Sequence, residues 1–152
     1  MFSRATMIAA VVCLCASPSV YSDGGGNSSG AAKPSEYKQA VKAIKKDNYP
    51  AAVELLRKVV DKDPENADAW NYLGYSLRNL QEFDDALVAY ETALQIEPGH
   101  KGALEYLGEL FLNTGQPEKA RLQLQKLDDA CFLSCKEFRM LKKQIARYEG
   151  GP

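Results

Sequence analysis

The sequence predicts an all-α protein, a solenoid of three helical hairpins closed by a C-terminal capping helix. Three observations carry this. Small residues recur at a spacing of 34: Ala40, Gly74 and Gly108 in one register, Ala52, Ala86 and Ala120 in another. A fixed period of this size is the mark of stacked supersecondary units. Within each period, two stretches of about 12 to 15 residues carry apolar side chains at helical spacing. Short polar turns separate the stretches, at Asp47-Asn48, Gln81-Glu82 and Asn113-Thr114-Gly115-Gln116.

Composition agrees with such a core. The chain has 152 residues, 45% hydrophobic and 26% charged, enough for one soluble domain. Its 19 basic and 20 acidic side chains leave a formal charge of -1, so no general attraction for phosphate backbones exists and nucleic acid is not an expected partner. The single histidine, His100, removes most histidine-dependent nucleophilic and metal chemistry. Beside Pro98-Gly99, it is expected as a solvated turn residue.

The first 22 residues read as a secretory signal. Arg4 precedes an apolar stretch from Ala5 to Ala16, too short for the ~20 residues that span a bilayer. Ser17-Pro18 then breaks the helix, and Val20-Tyr21-Ser22 fits cleavage before Asp23, with a second option after Ala16. Val12 before Cys13 and Leu14 before Cys15 lack the small residue that lipidation needs, so no membrane anchor is expected after cleavage. Residues 23–33, with Gly24-Gly25-Gly26 and Ser28-Ser29-Gly30, hold too little apolar material to fold and read as a flexible linker. Cleavage removes Cys13 and Cys15 and leaves the pair Cys131 and Cys135, which suits an oxidising compartment. The expected location is periplasmic or secreted.

The three units run 33–66, 67–100 and 101–134. In the middle unit Gly74 and Ala86 are placed to let two helices approach closely. Trp70, Leu73, Leu77, Tyr90, Ala93 and Leu94 supply apolar surface around them. Asn66 is an N-cap, Pro98 a stop, and Pro50 and Pro117 fit first turns. Leu104, Leu107, Gly108, Phe111, Ala120, Leu124 and Leu127 repeat the pattern in the third unit. A capping helix over 135–149 follows, opened by a Ser134 and Glu137 capping box and packed through Phe138, Leu141, Ile145 and Tyr148. Its basic residues, Lys136, Arg139, Lys142, Lys143 and Arg147, read as a solvated outer face.

These residues resemble the tetratricopeptide repeat (TPR). Trp70, Leu73, Gly74, Ala86, Ala93 and Pro98 fall on that pattern; Tyr90 replaces its Phe and Leu77 its Tyr. The third unit ends in Phe132 instead of Pro, and the first has Glu36 and Gln39 where large apolar residues are usual. Such departures suit terminal units with a wet outer face. The resemblance implies that the first helix of each hairpin lines a concave groove, which here presents Tyr37, Val41 and Ile44, then Asn71, Tyr75 and Arg78, then Glu105, Glu109 and Leu112. Family members that clamp carboxylates use Lys, Asn and Arg there, so Glu105 and Glu109 speak against such a clamp. A segment with an aromatic or apolar anchor toward the first hairpin and Lys or Arg toward the third is the expected ligand.

No Walker-type loop, no GxGxxG opening a helix and no HExxH is present. Asp84-Asp85 and Asp128-Asp129 are neighbours that point about 100° apart on a helix and form no acid–base pair. The expected function is a non-enzymatic adaptor without catalytic residues, metal or cofactor, holding a peptide or protein partner; two copies could also pair. The alternative is a thiol redox or copper-handling factor built on Cys131 and Cys135. The plainer reading of that pair is a structural disulfide.

Overall fold

The structure, a computed structural model, describes residues 35–132 and 134–150. The expected signal (1–22) and linker (23–33) lie outside the described residues. Seven helices and no strand occur among those described: α1 (Glu36–Ile44), α2 (Tyr49–Lys62), α3 (Ala67–Asn79), α4 (Phe83–Ile96), α5 (Lys101–Asn113), α6 (Pro117–Ala130) and α7 (Lys136–Gly150).

Local chemistry starts and stops these helices where the sequence says it should. The Asn48 and Asn66 side chains accept from the amides of Ala51 and Ala69, at 3.3 and 2.9 Å, satisfying otherwise orphaned donors. Pro50 and Pro117 occupy first turns, where a missing N–H costs nothing. Helix α4 lacks a side-chain cap but carries Asp84 and Asp85 in its first turn, where the positive end of the helix dipole favours them. Each hairpin turns on one left-handed residue, and Asp47 (φ 56), Gln81 (φ 62) and Gly115 (φ 72) stand one period apart. Only the third uses the residue that adopts this conformation without steric cost.

Two expectations about helix starts need correction. His100 is buried, not solvated: its Nδ1 accepts from the Ala103 amide at 3.0 Å as the N-cap of α5, and its Nε2 lies 3.1 Å from Asp68 Oδ1 on α3. It holds the register position of Asn66, and the ring nitrogen does what the Asn66 amide oxygen does one unit earlier. Ser134 does not cap α7. Its φ of 56 turns it away, the Cys135 carbonyl accepts the Arg139 amide, and the Ser134 carbonyl instead accepts from Arg139 Nη1 at 2.7 Å.

The hairpins are α1–α2, α3–α4 and α5–α6, and α7 packs on both α5 and α6. Their shared core holds Leu56, Leu73, Leu77, Tyr90, Leu104, Leu107, Phe111, Leu127, Leu141 and Ile145. The close approach at Gly74 is filled by an aromatic ring: a Cβ there would stand 2.7 Å from Tyr90 ring carbons, and Tyr90 is wholly buried. Ala86 is buried as well. Tyr148, expected in the packed stripe of α7, is instead 47% exposed.

Curvature follows from which helices touch. Among the described residues α1 meets α3, α3 meets α5 and α5 meets α7, whereas α2, α4 and α6 do not meet one another. The stack therefore closes on the side of α1, α3, α5 and α7, which is the concave side.

Candidate functional site

Tyrosines dominate the concave layer. Tyr37 on α1 meets Tyr72 on α3 with ring centroids 6.0 Å apart, and Tyr75 on α3 meets Tyr106 on α5 at 4.9 Å. Tyr49 reaches Tyr75 from α2 at 6.1 Å and donates its hydroxyl to Asp47 Oδ1 at 2.9 Å. Such tilted and edge-on pairs supply rigid contact area at small cost in rotamer freedom. Burial, joined by the charge of Asp68, pushes Tyr37 up to about 12, and burial with Glu105 does the same to Tyr106. These hydroxyls therefore stay neutral and able to donate near neutral pH.

Arg78 sits at the centre of the layer. Its guanidinium carbon lies 5.6 Å from the Tyr75 centroid and 5.8 Å from that of Tyr106, cation–π geometry. Its Nη2 is 2.8 Å from Glu109 Oε2, and the two side chains are only 12% and 14% exposed. Burial works against the arginine charge, but Tyr90, Glu109 and Tyr75 outweigh it and raise its pKa. Glu109 Oε1 also lies within 3.5 Å of the Gln144 amide on α7. A cleft of about 390 Å³ opens beside this pair, walled by α3, α5 and α7.

Of the residues expected to line the groove, Tyr37, Val41 and Tyr75 are half-buried with surface to offer, and Arg78 is nearly buried. Asn71, Glu105 and Leu112 are buried. The Asn71 amide packs beside Gly102 at the start of α5, and neither Asn71 Oδ1 nor Glu105 Oε1 has a hydrogen-bond partner among the described residues. Burial first, then Glu109 and Glu137, push the Glu105 carboxyl up to about 7. The acidic end expected from the sequence is thus closed in two ways, with Glu109 tied to Arg78 and Glu105 covered. Sequence reasoning passed over Tyr72 and Tyr106, although they are one period apart and adjoin Asn71 and Glu105. It also passed over Asn113 and Gln144 at the cleft, and it assigned Arg147, which lines the cleft with them, to the solvated face.

At the far end of the array Cys131 and Cys135 stand 5.5 Å apart at Cα, with sulfurs 1.99 Å apart. Cys131 is buried, while Phe132 beside it is 93% exposed.

Comparison with known proteins agrees with this architecture. Two tetratricopeptide repeat family models match, one over residues 37–101 and one over 77–145. The human PEX5-related protein is 26% identical over 87 residues, which are 57% of this chain and 14% of that protein. Protein FlbA of Caulobacter vibrioides is 32% identical over 82 residues, 54% of this chain and 14% of that protein. The chain therefore spans only a small part of these relatives. Among solved structures, MamA (MSR-1) superposes with a TM-score of 0.59 at 25% identity, over 62% of this chain and 55% of that one. The first TPR of Spaghetti (RPAP3), bound to the HSP90 peptide SRMEEVD, superposes with a TM-score of 0.64 over 74% of this chain and 94% of that one. At 16% identity it speaks for the fold alone. The repeat period, the paired helices and both family matches give one conclusion: this chain belongs to the tetratricopeptide repeat family.

Proposed function

We propose that the chain is a non-enzymatic adaptor that holds a peptide or protein segment in its concave groove. One observation carries the reading. A partly buried tyrosine row, Tyr37, Tyr72, Tyr75 and Tyr106, is held by ring contacts, with Arg78 of the Arg78–Glu109 pair against Tyr75 and Tyr106. Aromatic anchors on a rigid scaffold are the residues that dominate binding energy at interfaces. Nothing in that row resembles a nucleophile beside a base. The test is site-specific photocrosslinking in the producing cell, with a photoreactive residue in place of Tyr37 on the concave side or Val88, 59% exposed on α4 of the outer layer. A partner captured from position 37 and absent at position 88 supports the groove; capture from 88 alone refutes it.

The adaptor works after export to a periplasmic or secreted location, by way of the apolar stretch Ala5–Ala16 and cleavage before Asp23. N-terminal sequencing of the exported protein tests this, and intact Met1 in a cytosolic fraction would overturn it. In that oxidising setting Cys131 and Cys135 form a structural disulfide between α6 and α7. The Cα separation of 5.5 Å and the burial of Cys131 favour this over a thiol redox or copper-handling role.

A further inference from the structure

We propose that the chain associates with further copies of itself, the acidic stripe of α4 in one copy seating on a lysine-walled groove at the α1–α2 end of the next. The proposal is independent of the concave groove and rests on how charge and apolar surface are distributed over the stack. A second groove, of about 490 Å³, lies on the first hairpin, with Ala43 and Leu55 as its apolar part, Lys38, Lys42 and Lys46 around them, and no acidic side chain in its lining. The three lysines are exposed, and none pairs with a carboxylate among the described residues. One period after Gln39 and Ala43, which line this groove, stand Leu73 and Leu77. Both are buried, in a unit whose first helix packs on α2 of the hairpin before it. The groove therefore lies on the face of α1 that corresponds to a helix-covered face of α3. The shape that fits it is a helix, and the lysines require that helix to be acidic.

The second hairpin supplies one. Unit 67–100 has a single Lys or Arg, Arg78, which is tied to Glu109. On α4, Asp84, Asp85, Val88 and Glu91 are exposed, Val88 by 59%, and they recur one turn apart along one face. None of these carboxylates pairs with a cation among the described residues. An apolar residue framed by carboxylates complements an apolar floor framed by lysines, in charge and in packing. The lengths agree as well: at about 1.5 Å per residue, Lys38 to Lys46 spans about 12 Å and Asp84 to Glu91 about 10 Å. Because two different surfaces meet, each copy in a pair keeps one surface free, and association grows past the dimer unless a ring closes. A contact between single helices is small and edged by exposed charges, which makes it weak and sensitive to salt.

The test is sedimentation velocity of the purified full chain over a concentration series reaching several hundred micromolar. At low salt the mean sedimentation coefficient of wild type should rise with concentration, and at high salt the association should weaken about tenfold or more. Lys42→Glu with Lys46→Glu should abolish the rise, and so should Asp85→Lys with Glu91→Lys. These side chains are exposed, and circular dichroism melts check that both variants fold. Mixing the two variants should restore association, because the intact α4 of the first meets the intact α1 of the second. A photoreactive residue in place of Val88 should join copies of an otherwise unaltered chain from α4 to the first hairpin; a copy captured there is recognised by its own peptides and is distinct from any partner of the concave groove. A wild type that stays monomeric throughout overturns the proposal and leaves the lysine groove to an acidic helix of another protein. Association that survives in either variant, that mixing does not restore, or that crosslinks position 88 to any element outside the first hairpin overturns it too.

Discussion

Gly108 of α5 receives Leu141 of the capping helix: a Cβ on Gly108 would stand 2.5 Å from Leu141 Cδ2 and 2.7 Å from its Cδ1. One period earlier Gly74 receives Tyr90, a ring from α4 of its own hairpin. One period later the position is Lys142, whose long side chain leaves no such seat.

Gly108→Ala should therefore loosen the cap. The added methyl forces Leu141 aside, an overpacking cost of about 1–3 kcal/mol. Leu141→Ala, which empties a fully buried site, should cost about 2–5 kcal/mol. The double variant should cost clearly less than the sum, because the second change makes room for the first. Urea unfolding of the three variants measures this; strict additivity would mean that the two residues do not share the contact.

Stability should depend on pH through Glu105. In the unfolded chain its carboxyl has the ordinary value of 4.5, and in the folded chain it is pushed up to about 7 by burial, Glu109 and Glu137, with Lys136 and Arg78 pulling the other way. The native state thus keeps a proton that the unfolded chain has already lost between these values. Stability falls as pH rises from about 4.5 to about 7 and then levels off. Glu105→Gln should remove that component, so the variant melts higher than wild type at pH 8 and close to it at pH 5. An unchanged difference across the range would refute the assignment.

The turns give opposite responses to the same chemistry. Gly115 has φ 72, so Gly115→Ala should destabilise by about 1 kcal/mol, the cost of a side chain in the left-handed region. Gln81 meets that cost already at φ 62, and Gln81→Gly should change stability little or raise it, because relieved strain offsets the freedom added to the unfolded chain. Chemical denaturation of both compares them directly.

Much of the fold was legible because a repeat multiplies each signal. The polar turns, Asn66 as cap and the glycines at helix contacts could be read wherever one period repeated another. His100 was missed through its residue type, since caps are sought among Ser, Thr, Asp and Asn. Its register with Asn66 would have revealed it. The groove was harder. One stripe of α5 carries Glu105 and Glu109, and the packing of α3 and α7 against it decides which of them is covered; no pattern within α5 encodes that. Arg78 and Glu109, by contrast, sit three residues short of one period apart, one helical turn out of register on adjacent first helices. Aligned repeats place them within reach of each other.

His100→Ala should remove the α5 cap and the contact with Asp68 together. A loss of about 0.5–2 kcal/mol is expected from the cap. His100→Asn keeps a short acceptor, as Asn66 does, and should recover most of it. Equal losses in the two variants would show that the link to Asp68, and not the cap, carries the effect.

The cysteine pair leads to the last prediction. A disulfide closing so short a loop restricts the unfolded chain only modestly, and the chain-entropy model gives about 2 kcal/mol. That is small beside a whole fold but large for one helix docked on the last hairpin, whose other anchors include Leu141, Ile145, Phe138, the Gln144–Glu109 contact and the exposed Arg121–Glu149 pair. Because units in such arrays are stabilised chiefly by their neighbours, Cys135→Ser should speed hydrogen exchange in α7 and the end of α6 far more than in α3 and α4. Insulin reduction by the wild type should stay at background. Turnover in that assay that disappears in Cys135→Ser, with exchange in α7 unchanged, would make the pair a redox centre and the adaptor reading incomplete.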